Sequence, residues 1–342
     1  MNTVLCDLGA WITYASRAPL TPIPKEEADR VLRTATCTVR QAKAVRALPW
    51  YREMEPFARS LAAVPTGQDV PLHLLVGPEH DRRRRAGTVP HRAPAFETPS
   101  SPLLRVEGPE VGGEPVHVPT PDLYLLLRAA TLGVAGTAAL GCTMAADYLC
   151  DPALGQCLPR DPLTTTEAIE GLCRKVPATV KGKAVLEDAL GAIADRSRSP
   201  METALTVMLA LKPAHGGMGL PKPELNTKID LPGELRRAVG GQRSMLVDLY
   251  WPDAGVGIEY DSTEFHDNRG QAIRDRQRQL ASNLLGIDVG PWTSGAVRDE
   301  RLFAAACGRL AERLGVPWHL NDRYTWQRRC LRAVMLGPHR FW

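Results

Sequence analysis

The chain has 342 residues, a length that suits about two domains. Lys+Arg 42 against Asp+Glu 38 leaves a formal net charge of +4, too small for a wholly basic polyanion binder, so any nucleic-acid surface must be local. Hydrophobic residues at 44% and charged residues at 23% are globular proportions, and Gly 29 with Pro 29 exclude a collagenous, fibrous or low-complexity chain.

The start, Met1-Asn2-Thr3 with Asp7 soon after, lacks the basic and long apolar regions of a secretory signal. A cytoplasmic protein with eight reduced cysteines is therefore expected, since no Cys-x-x-Cys pair occurs. Cys142, Cys150, Cys157 and Cys173 match no common zinc spacing. Residues 1–65 form an expected helical region, with Pro24-Lys25-Glu26-Glu27 opening one amphipathic segment and 51–63 forming another. A mixed β/α region follows over 66–175. Its strands are expected at 73–76, 103–106 and 115–118, its loop at 81–87, and its helix from Pro121.

Residues 129–146 carry no charge and raise the question of a membrane span. Alanine, glycine and threonine dominate them, and Arg128 and Asp147 bracket them. We read two buried helices meeting near Gly133–Gly136 and expect no membrane partner. Leu158-Pro159-Arg160-Asp161-Pro162 looks like a linker, so a boundary falls between 155 and 180 and the last region is 180–342. The order there is helix 183–194, helix 200–211, strands 227–230, 243–250 and 255–261, helix 269–285, strand 286–290 and helix 296–314. The fold class is α/β (α+β) and multidomain.

The run from Ser244 to Asp261 is the most informative segment. Pro252-Asp253-Ala254-Gly255 is turn chemistry between two β-type runs. A hairpin folded about that turn sets Asp248 opposite Glu259, and period-two alternation adds Asp261 to the same face. Like charges facing each other in a sheet are destabilising, so the pattern calls for a cation or a proton between them. Oxygen donors suit Mg²⁺ or Mn²⁺. A register slipped by one residue would instead turn the acids to solvent.

Upstream, Ser199-Pro200-Met201-Glu202 is a capping box with proline at the first helical position, or else Glu202 is a fourth carboxylate for the hairpin. Downstream, Arg274 and Arg278 share a helix face that could hold a phosphodiester backbone, or form a solvated salt network with Asp275. His73, His80, His91 and His117 are spaced too irregularly to suggest a metal site. Four consecutive arginines, Arg82, Arg83, Arg84 and Arg85, form a basic loop and are candidate nucleic-acid contacts.

Ser199-x-x-Glu202, Asp248, Glu259-Tyr260-Asp261, His266 and the Arg-Asp-Arg-x-Arg helix together resemble the PD-(D/E)XK restriction-endonuclease-like superfamily. The resemblance covers residues 183–315 and is nearest to uncharacterised bacterial domains related to very-short-patch repair endonucleases. It implies a mixed sheet flanked by helices, with Asp248 and Glu259 as metal-holding motif residues and Glu202 as the acid of the first helix. The superfamily's lysine would fall at 261, where this chain has Asp261. The very-short-patch branch also lacks that lysine and uses a histidine, so His266 is the implied substitute. Residues 70–150 more faintly resemble the middle part of abortive-infection antitoxin-type proteins, through His73–Val76, Arg82–Arg85, His91-Arg92 and Val116–Pro121. The expected function is a Mg²⁺- or Mn²⁺-dependent nuclease acting on DNA. The alternative is a catalytically silent nuclease-fold regulator or antitoxin with a DNA or protein partner.

Overall fold

The computed structural model describes residues 2–80, 82–98, 100–108, 110–151, 156–238, 241–261, 277 and 279–337. The chain divides into two compact units: Met1–Gly133 with Leu149–Asp188, and Val134–Tyr148 with Ala189–Phe341. Composition had suggested three regions with breaks near 65 and 175. The difference has a simple cause, because strands from before residue 65 and strands from after it share one sheet.

In the first unit β1 (Thr3–Val4) leads into α1 (Asp7–Ala15), β2 (Leu20–Pro22), α2 (Lys25–Thr34), α3 (Val39–Ala47) and α4 (Pro49–Leu61). Then come β3 (Leu72–Val76), β4 (Thr88–Arg92), β5 (Leu103–Val106) and β6 (Val116–Pro119). One sheet runs β1-β6-β5-β2, with Thr3 paired in parallel to Val116, while β3 and β4 form a separate parallel pair. Thr38 and Gln41 make a reciprocal capping box that starts α3, and Pro49 opens α4. β4 escaped the sequence reading because Pro90 sits at its centre; a strand paired on one side only tolerates that. Val4, Ile23, Val31, Leu32, Leu75 and Leu103 pack into one core. Tyr14 donates to the Pro119 carbonyl at 2.6 Å and meets the Tyr124 ring edge-on.

α5 (Pro121–Met144) has a mean hydropathy of 1.6 over its most apolar stretch and is long and apolar enough to cross a membrane. It breaks at Gly133 (φ 68°, ψ 176°), a conformation essentially confined to glycine, so it is two helices. Leu123, Leu125 and Leu126 are buried before the break, and Ala138, Leu140 and Cys142 after it. β7 (Tyr148–Asp151) and β8 (Gln156–Pro159) pair, and this corrects the cysteine expectation: Cys150 and Cys157 form a disulfide, their Cα atoms 4.1 Å apart. Strand pairing brings together two thiols whose spacing alone gave no signal. Cys6, Cys37, Cys142, Cys173, Cys307 and Cys330 are free thiols. α6 (Thr166–Lys175), capped by Thr165, and α7 (Lys183–Leu190) follow.

The second unit centres on α8 (Pro200–Ala210) and a four-stranded mixed sheet of β9 (Glu224–Asp230), β10 (Ser244–Trp251), β11 (Val256–Asp261) and β12 (Asp288–Thr293). The order is β12-β11-β10-β9, with β9, β10 and β11 antiparallel in turn and β12 parallel to β11. Met245, Val247, Ile287 and Val289 anchor a core that includes Ala281. The final strand lies at 288–293 rather than 286–290. The helix expected over 296–314 is two, Ser294–Arg298 and Glu300–Arg313. Asp299 stands between them and accepts the backbone N–H groups of Arg301 and Leu302 at 2.8 and 2.9 Å.

Candidate functional site

β10 alternates strictly: Met245, Val247, Leu249 and Trp251 are buried, while Ser244, Leu246, Asp248 and Tyr250 are half-buried. A short 3₁₀ turn at Pro252–Ala254 and a left-handed Gly255 (φ 61°) reverse the chain. The hairpin pairs Leu249 with Ile258, Tyr250 with Gly257 and Trp251 with Val256. That register leaves Asp248 facing Glu259. On the other side, Val247 pairs with Thr227 and Leu249 with Leu225, so Asn226 faces Asp248. Glu259 in turn pairs with Pro291. Asn226, Asp248, Glu259 and Pro291 thus form one row across four strands.

All four line a cleft of about 560 Å³, together with Asp261 and Arg198. The Tyr260 backbone N–H donates to Asp248 Oδ2 at 2.9 Å, which ties that carboxylate to β11. Gln279 and Ser282, from the helical stretch 279–284, complete one wall.

Glu202 takes part in the cap of its own helix. Ser199 Oγ accepts the Glu202 backbone N–H at 3.2 Å and donates to Glu202 Oε1 at 2.8 Å. Oε2 accepts the Arg198 backbone N–H at 2.8 Å and the Asn226 side-chain amide at 2.6 Å. Glu202 is 6% exposed. Burial pushes its carboxyl pKa up, the three bonds from Arg198, Ser199 and Asn226 pull it down, and the nearby Asp248 charge pushes it up again. The capping carboxylate therefore lies within the field of Asp248 and is hydrogen-bonded to Asn226 of the row.

His266, Arg274 and Arg278 lie outside the described residues. Arg82, Arg83, Arg84 and Arg85 belong to the first unit, on the connection between β3 and β4. The parallel pairing of β3 with β4 needs a long connection, and all four arginines on it are exposed. Arg85 is tied at its backbone, where its carbonyl accepts the Thr88 hydroxyl at 3.1 Å. Burial lowers the His73 pKa, and the Arg84 charge adds a smaller push in the same direction. Sequence reasoning missed Asn226 and Arg198. Asn226 carried one faint signal, since asparagine tolerates the left-handed backbone it adopts here (φ 50°).

Two of the irregularly spaced histidines stand side by side on strands. His73 Nδ1 lies 2.9 Å from His91 Nε2, and Asp7 Oδ2 lies 3.6 Å from His73 Nδ1. Eighteen residues separate the two histidines in sequence, but adjacent strands carry them.

No family model matches the chain, and no solved structure matches it significantly. Two uncharacterised proteins of Mycobacterium tuberculosis, from strains CDC 1551 / Oshkosh and ATCC 25618 / H37Rv, are each 34% identical to it over 96 residues. Each match covers 28% of this chain and 30% of the relative's length.

Proposed function

We propose that the second unit is a metal-dependent nuclease-like domain of the PD-(D/E)XK kind, acting on DNA phosphodiester bonds. The observation that carries this reading is the pair Asp248 and Glu259, facing each other across a hairpin within one cleft that also holds Asp261 and Arg198. A mixed four-stranded sheet preceded by a buried helix supports it.

The donor set fits a hard divalent cation, because every anionic group lining the cleft is a carboxylate. Asp248 and Glu259 would hold Mg²⁺ or Mn²⁺. Glu202, whose two oxygens already accept three hydrogen bonds, would act through water or through Asn226. The ion would supply an activated water and neutralise charge on the scissile phosphate. Tyr260 holds the Asp248 carboxylate in place, and Arg198 meets the backbone phosphate at the cleft wall. His266 takes the general acid–base role, and Arg274 and Arg278 position the strand. Arg82, Arg83, Arg84 and Arg85 would add a separate, sequence-independent phosphate contact from the first unit.

One observation favours the second reading, a regulator that keeps the fold and binds DNA or a protein partner without cleaving: Asp261 occupies the place of the motif lysine. Supercoiled DNA incubated with the full chain and Mn²⁺ separates the two. The first reading expects slow nicking that is lost in Asp248→Asn and in Glu259→Ala. DNA binding with no nicking, unaffected by Glu259→Ala, would establish the second. Nicking undiminished in the Asp248→Asn/Glu259→Ala double variant would overturn the assignment of this cleft.

A further inference from the structure

The first unit brings a second set of metal-type donors together, none of them drawn from the hairpin. The Cys6 backbone N–H donates to the His73 carbonyl at 3.0 Å, which sets Asp7, the first residue of α1, beside β3. In the parallel β3–β4 pair His73 lies opposite Val89 and Leu75 opposite His91, so both imidazoles project from the same face of neighbouring strands. Asp7 adopts a left-handed backbone (φ 47°), an uncommon conformation for an aspartate. Three elements thus converge three side chains whose donor atoms all lie within 4.8 Å of one another.

We propose that Asp7, His73 and His91 form a mononuclear site for a first-row transition-metal ion, with zinc the ion its two-imidazole, one-carboxylate donor set suits best. Donors 2.9 and 3.6 Å apart, each at a bond length of about 2.0–2.2 Å, would subtend about 90° and 120° at a common ion, the span of four- to six-coordinate geometry. Arg128 of α5 donates to the Asp7 carboxylate and orients it, as the outer partners of ligating carboxylates do. Three protein donors is the number found in sites that keep one position open. Asp7, His73 and Arg128 also line a cavity of about 220 Å³ with Trp11 and Tyr124. The bland alternative is a hydrogen bond between two stacked imidazoles beside an Asp7–Arg128 ion pair, with no affinity for metal.

Full-length protein stripped with a chelator and titrated with zinc, by calorimetry and by metal analysis after desalting, decides between them. The Asp248→Asn/Glu259→Gln variant is run in parallel to silence the other cleft. One zinc per chain is expected in wild type and in that variant, with affinity falling at least about 100-fold in His73→Gln and in His91→Asn. No zinc retained by wild type, or equal retention by the histidine variants, would overturn the site. Should either histidine variant fail to fold, cobalt-loaded wild type provides the test. Visible d–d bands with paramagnetically shifted imidazole N–H signals are expected, and their absence overturns the proposal.

Discussion

Replacing Glu202 separates its capping role from its electrostatic one. Glu202→Ala removes the acceptor of the Arg198 N–H, the Ser199 hydroxyl and the Asn226 amide together. Hydrogen bonds to a charged group are worth about 1.5–3 kcal/mol each, and water entering from the adjoining cleft recovers part of that, so a net loss of about 2–4 kcal/mol is expected. In Glu202→Gln one amide oxygen can take the Arg198 and Asn226 donors while the amide NH₂ turns to Ser199 Oγ. That variant should cost about 1 kcal/mol or less at pH 7. The two also differ in their pH dependence. The folded-state pKa of Glu202 lies above its ordinary value of 4.5, so the folded chain holds this proton after the unfolded chain has lost it. The group's contribution is full below about pH 4.5 and is lost as pH rises through the raised value. Glu202→Gln should flatten that descent relative to wild type. Urea unfolding followed by the fluorescence of Trp251 and Trp292, at several pH values between about 4 and 8, measures both effects as midpoint shifts at constant slope. Equal midpoints for Glu202→Ala and wild type, or equal losses for the alanine and glutamine variants, would refute the reasoning.

Further outcomes follow from other positions. His117 is 1% exposed, and burial, then the adjacent Arg105, lower its pKa. The unfolded chain therefore takes up this proton first as pH falls below about 6.5, and stability drops until the depressed folded value is passed. His117→Leu should show a shallower acid limb, and parallel limbs would exclude the effect. Gly133→Ala forces a side chain into a glycine-only conformation and should lower stability by about 1–3 kcal/mol, read as a fall in Tm; an unchanged Tm contradicts it. Cys157→Ser opens the short ring closed by the disulfide and should cost about 2.5 kcal/mol without reductant, a difference that dithiothreitol abolishes. His266→Ala should reduce any nicking activity about 10²–10⁴-fold, and full retention would remove His266 from the reaction.

Where the chemistry was local, the sequence was readable. Pro252-Asp253-Ala254-Gly255 dictates a reversal, and the two β runs around it can align the acids in one way only unless the register slips. The helix break at Gly133 was legible because glycine and alanine replace the large apolar residues a continuous core helix needs. What escaped notice was pairing at a distance. His73 and His91 meet because two strands run parallel, and parallel partners are joined by long connections that leave no turn signature. Cys150 and Cys157 meet across a two-stranded ribbon whose strands are 4 residues long, too short for periodicity to register. Asn226 joins Glu202 to the hairpin row only through the β9–β10 register, which no short motif encodes.

Neither unit is a continuous stretch of chain, and this bears on how the protein is made. Residues 134–148 leave the ribosome embedded in the sequence of the first unit, yet their partners come later: Ile193 packs on Gly141, Ala194 bonds to Cys142, and Thr203 meets the Tyr148 hydroxyl. Translation proceeds at about 5–20 residues per second, so partners some fifty residues downstream follow only after about 3–10 seconds. During that interval the buried residues Ala138, Leu140 and Cys142 are made but the partners at 193–203 are not. A fragment starting near residue 180 never receives it at all. One starting at residue 134 does, and of the two only the latter carries every segment of the second unit's core.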